Sequence, residues 1–179
     1  MRADDRALER MLENTYTKAD LYRRIDLVQE FLVQSLFNRE HHQGSRAKDF
    51  RVWGKSKCEN MEDAEAVSAA STWGDDVLNS FTPENVYVRI KELKQAIEAL
   101  PEIVLYVPAV FSVEHVASLG TWCRAHVRAH ILLQFIVEPT VAGGCAFVID
   151  NVYHNFSLSY FMRKSHKELI ELVRTYGTT

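Results

Sequence analysis

Most signatures that would assign a chemistry outright are missing from this chain. Its three cysteines, Cys58, Cys123 and Cys145, are an odd number at spacings that suggest no disulfide framework, so a reducing cytosol is the simpler setting. No apolar run approaches the length that spans a bilayer, and Met1-Arg2-Ala3-Asp4-Asp5-Arg6 lacks the apolar core of a signal peptide. A membrane link is therefore expected only through a partner. The formal net charge of -3 offers no general attraction to nucleic acid or anionic lipid. Gly143-Gly144 carries neither the P-loop pattern with its Lys nor the Gly-x-Gly-x-x-Gly of dinucleotide sites, and a strand rather than a helix follows it. Ser112, Ser157 and Ser159 lack the Gly-x-Ser-x-Gly elbow, and no cysteine lies in a nucleophile motif. No repeat or low-complexity tract is visible. Catalytic residues and cofactors are expected to be absent.

What remains is the balance of a folded globular protein. The 179 residues are 47% hydrophobic and 25% charged, enough for one ordinary domain or two small ones. Residues 1–100 read as helical. Leu8, Met11 and Leu12 are helically spaced, and Thr17-Lys18-Ala19-Asp20 looks like a helix start. Leu21, Ile25, Val28, Leu32 and Leu36 then form one apolar face, which either closes a core or meets a partner. Periodicity is lost near 40–60, where His41-His42 precedes Arg46, Lys48, Arg51, Lys55 and Lys57. That stretch reads as a long basic connection. Met61 to Ser71 reads as a short helix. Thr82-Pro83-Glu84 predicts the start of another, carried by Val86, Ile90, Leu93, Ile97 and Leu100 until Pro101.

At Pro101 the pattern changes. Ile103–Val107, Ile131–Val137 and Cys145–Ile149 read as strands, with Val152-Tyr153 as a short fourth. Ser112 is suited to cap a helix reaching about Val127, and Ser157 a final one. The expected class is α+β: a helical part over 1–100, then a small strand-helix-strand-strand-helix domain over 101–179.

Three sets of residues invite chemistry. Cys123, His126 and His130 have helical spacing, and a thiolate with two imidazoles suits zinc; Cys123 also fits an apolar core face. The basic stretch with Phe50 and Trp53 suits phosphate and base contacts, although in a chain of net negative charge a solvated linker is the simpler reading. Asp150 with His154 could exchange a proton, but Asp150-Asn151 is more simply a turn.

One stretch combines turn and strand chemistry: Glu138-Pro139-Thr140-Val141-Ala142-Gly143-Gly144, an apolar strand, Ile149-Asp150-Asn151, then Ser157-Leu158. It resembles the C-terminal segment of the delta subunit of F-type ATP synthases, the family that includes the mitochondrial oligomycin-sensitivity-conferring protein. Pro139, Gly143, Gly144, Asn151 and Ser157 carry the likeness, whereas Asp150 stands where the family has Gly and Asn155-Phe156 replaces its Asp-Gly. The resemblance implies a non-catalytic stator subunit without cofactor or metal, coupling the catalytic head to the peripheral stalk at the cytoplasmic face of a membrane. Its partners would be those head and stalk subunits, with no direct nucleic acid. The E-type stalk subunit is a nearby variant, but Gly44, Gly54 and Gly74 oppose the long N-terminal helix it would need. The competing readings are a nucleic-acid-binding adaptor and a small zinc enzyme.

Overall fold

The helical and strand patterns occupy separate parts of the computed structural model, which describes residues 3–37, 45–57, 61–141 and 143–176. Helices α1 (Ala3–Leu12), α2 (Lys18–Phe37), α3 (Arg46–Lys57), α4 (Met61–Ala70), α5 (Gly74–Asn79) and α6 (Val86–Glu98) come first, with a 3-10 turn at Ser71–Trp73. Then follow β1 (Glu102–Val107), α7 (Val113–His126), β2 (Leu132–Val137), β3 (Ala146–Ile149), β4 (Val152–Asn155), α8 (Leu158–Lys164) and α9 (His166–Tyr176). The fold is α+β, with helices leading and a mixed sheet in the second half.

Hydroxyl side chains set the helix starts. The Asp20 amide donates to Thr17 Oγ1, and Ser112 and Ser157 accept from the amides of His115 and Tyr160. The Thr82 pattern begins its helix later than the sequence suggests. Pro83–Asn85 forms a separate turn, the Asn85 amide donates to Thr82 O at 3.1 Å, and α6 starts at Val86. The final helix is interrupted at Ser165, dividing α8 from α9.

The basic stretch is the larger correction. Residues 46–57 form helix α3, not a connection. Its buried face is narrow, made of Phe50 and Gly54, so the helical period is hidden among charges. Tertiary contact supplies what amphipathicity lacks. The Phe50 ring meets Phe31 edge-on at 5.3 Å and stacks on Trp53 at 5.9 Å. The Trp53 indole donates to Gln34 Oε1 at 2.7 Å.

Helix α2 is the axis of the helical core, where Leu21, Ile25, Val28 and Leu32 meet Trp73, Leu78, Phe81, Ile90 and Ile97. The sheet order is β2-β1-β3-β4, with β1 parallel to β2 and antiparallel to β3. Ile103, Leu105, Val107 and Leu133 form a second core under Cys123 and Leu119 of α7.

Both halves meet where the α1–α2 connection lies along β2. The Leu133 amide donates to Tyr16 O at 2.8 Å, and Thr17 forms a parallel bridge with Leu133. This covers the start of the exposed strand edge. From α7, Arg124 donates to the carbonyls of Leu12 and Thr15 and, at 3.3 Å, to that of Ile131. Its guanidinium lies 4.7 Å from the Tyr16 ring centre.

Two predictions follow from these contacts. Arg124→Leu leaves three backbone carbonyls without their charged donor, and chemical denaturation should show a loss of about 2–4 kcal/mol. The second concerns alkaline pH. Desolvation, then a hydrogen bond to the Glu98 carboxylate, pushes Tyr22 up to about 12. A raised tyrosine contributes stability that is fully present below its unfolded value of about 10 and is lost as pH climbs through the folded value. Tyr22→Phe should therefore show less loss of unfolding midpoint over that alkaline interval than the natural chain.

Candidate functional site

Gly143 and Gly144 sit at φ values of 62° and 100°, a region that side chains oppose. Their conformation brings the start of β3 against the segment between β4 and α8. The Leu158 amide donates to Gly143 O at 2.6 Å and the Phe156 amide to Cys145 O at 2.9 Å. A Cβ on Gly144 would fall 2.3 Å from Phe156 O. Pro139 opens the turn before this junction. There the Glu138 carboxylate accepts from Thr140 Oγ1 at 2.7 Å and from the Thr140 amide at 3.2 Å, which holds Glu138 below the usual carboxylate range. Ser157 is buried, donates to Asn155 Oδ1 at 2.7 Å, and caps α8. The glycines and Ser157 thus form one junction with Pro139 leading into it.

Asn151 lies at the other end of the β3–β4 hairpin. Asp150 and Asn151 both have positive φ, 48° and 63°, and join paired Ile149 and Val152 in the manner of a type I′ turn. Asp150 occupies this left-handed position while both its oxygens accept from Arg128, at 3.0 and 3.2 Å.

Beyond the glycine junction the surface is apolar. Phe156, Leu158, Tyr160, Phe161 and Met162 are each 43–55% exposed on consecutive turns of chain. The sheet face away from α7 carries half-buried Val104, Tyr106, Ile136 and Val148 beside exposed Tyr153. Tyr106, Tyr153, Tyr160, Glu138 and Arg163 line a recess of about 380 Å³ between that face and α8. On α9, Ile170 and Val173 are also exposed.

The remaining sequence candidates separate. Leu21, Ile25, Val28 and Leu32 are buried and Leu36 packs against them, so this face closes the helical core and is not a free partner surface. Cys123 is buried beneath the sheet, where desolvation raises its thiol above the usual range. His126 stacks on Trp122 at the exposed side of α7, and His130 is exposed with a φ of 60°. Helical spacing did not converge these three, and the described residues contain no cluster of His, Cys, Asp or Glu arranged to hold a metal ion. His154 stacks on Phe147 at 5.0 Å, while Asp150 faces Arg128, so they form no acid–base pair. His41, His42 and Cys58 lie outside the described residues. The recess and its tyrosines were not read from sequence, because they converge from two strands, the turn after β2 and a helix. Alternation in β1 was the available signal, marking Tyr106 for the face opposite Leu105.

These features describe a helical unit joined to a small mixed sheet whose free end presents an apolar surface. No protein-family model matches the chain, and no curated protein matches its sequence.

The junction is testable through its glycines. Gly144→Ala places a methyl group against Phe156 O at positive φ and should cost about 2–4 kcal/mol. Gly143→Ala should cost less, since its Cβ would meet Leu158 Cβ at 3.2 Å. The order of the two denaturation midpoints checks the geometry.

Proposed function

We propose that this chain is a non-catalytic stator subunit of a rotary, proton-translocating ATP synthase, similar to the delta subunit. The observation that carries the reading is the run of exposed apolar side chains from Phe156 to Met162, directly beyond the Gly-Gly junction. Contiguous apolar surface on a folded chain marks a partner contact. It falls where the resembling family holds the helices of its peripheral stalk.

Further features support the same reading. Among the described residues, six α-helices precede the first strand, in keeping with that family's six-helix bundle. The longest of them, α2, has 20 residues, which favours the delta type over the E type and its long continuous helix. The Glu138–Leu158 resemblance is carried by a turn, a hairpin and a cap, which set the direction of the chain. A stator subunit resists torque through extended contacts, and α8, α9 and the open sheet face offer such a surface. In this reading the chain sits at the cytoplasmic face of a membrane, held there by its partners. No described helix is long and apolar enough to cross a membrane.

Affinity purification of the tagged chain from its native host should recover head and stalk subunits of a rotary ATPase. Recovery without any such subunit overturns the proposal. Phe161→Asp with Met162→Asp should remove the stalk subunits while retaining the head. Both residues are exposed, so the double variant should stay within about 1 kcal/mol of the natural stability.

A further inference from the structure

Helices α3 and α4 cross closely because Gly54 has no side chain. A Cβ there would fall 2.2 Å from Val67 Cγ1. Beside this crossing is an open cleft of about 610 Å³. Ala64 and Val67 form its floor, Arg51 and Lys55 stand on the α3 wall, and Ser68 and Thr72 on the other. Arg51 and Lys55 are four residues apart, one above the other on a helix. Both are exposed, and among the described residues neither forms an ion pair. Several other cations of the helical part are matched: Lys57 to Glu30 at 3.0 Å, Lys94 to Asp26 at 2.6 Å, Lys18 to Glu98 at 2.6 Å. Among the described residues, no carboxylate lines the cleft.

Ser71 Oγ donates to Ser68 O at 2.6 Å and Thr72 Oγ1 to Ala69 O at 2.7 Å, so both hydroxyl protons are committed within the chain and the two cations are the partners left for an anion. A neutral apolar molecule would leave the two cations unused, and a bare inorganic anion would leave the floor unused. We propose that the α3–α4 cleft binds a small anionic amphiphile. Its acidic group, a phosphate or carboxylate, lies between Arg51 and Lys55, and its apolar body covers Ala64 and Val67. A lipid headgroup with its chain and a free amphiphilic metabolite share this chemistry. The site is independent of the stator reading, since it lies on α3 and α4, away from the glycine junction.

Calorimetric titration of the full chain with dodecyl phosphate, below its micellar concentration, tests the proposal. One molecule should bind per chain, and inorganic phosphate and the neutral dodecyl maltoside should each bind at least about tenfold more weakly. Arg51→Gln with Lys55→Gln should weaken dodecyl phosphate binding about tenfold or more. Ser68→Trp, which fills the cleft without changing charge, should abolish it. Lys57→Gln, altering a cation outside the cleft, should leave it unchanged, and thermal unfolding checks that each variant folds. Vesicles containing phosphatidylglycerol distinguish the sources. Sedimentation of the natural chain but not the Arg51–Lys55 variant assigns a membrane lipid; binding of the monomer without sedimentation assigns a free ligand. Absent binding of dodecyl phosphate, equal binding of the maltoside, or full affinity in the Arg51–Lys55 variant overturns the proposal.

Discussion

Arg124 ties together segments that sequence keeps more than a hundred residues apart. Its guanidinium satisfies carbonyls at the end of α1 and in the α1–α2 connection, while its own helix covers the sheet. Carbonyls at a helix end have no partner within the helix, so a buried end requires donors from elsewhere. Arg124 provides them, and Arg24 adds another through Asn14 O at 2.7 Å. With the connection held in place, Tyr16 and Thr17 can run beside the start of β2. The Tyr16 ring can then lie on Gly120, where any Cβ would sit 2.3 Å from it. Strand β2 couples the two cores from the other side: Leu132 enters the helical core and Leu133 the sheet core. Adjacent strand residues point to opposite faces, so a single strand can belong to both.

With one end of the sheet fixed in this way, the free end can present a surface. Burial of Ile103, Leu105 and Val107 under α7 stabilises one face only. The opposite face keeps half-buried apolar residues, and the Gly-Gly junction leads α8 out beside it. An exposed apolar run is costly in water unless something covers it. That tension between a well-buried root and an uncovered tip is what the stator proposal resolves. The residues that convey the resemblance are conformational: they aim the surface.

Legibility followed the periodicity of each segment. The face from Leu21 to Leu36 and that from Val86 to Ile97 were readable because core contact repeats along their length. The strands of the second half were readable as apolar runs between Pro, Gly and Asp-Asn punctuation. Helix α3 was not, because only Phe50 and Gly54 of its residues are buried. Its helicity depends on rings from α2 and on a close crossing with α4, neither visible locally. Cys123, His126 and His130 failed for the opposite reason. Their spacing was real, but one side chain faces the core and the others solvent.

The sequence by itself determined the helical first half, the α+β class, the serine caps and the glycine turn. Each depends on residues within a turn or two of one another, where propensity and backbone conformation act. Tertiary structure decided the rest: that the α2 face closes a core, that the basic stretch is a helix with a cleft beside it, and that the C-terminal apolar residues stay exposed. Those outcomes rest on which surfaces meet across long separations. For the Glu138–Asn151 stretch, local chemistry specified the bend, and only the fold showed that the bend directs an apolar surface outward.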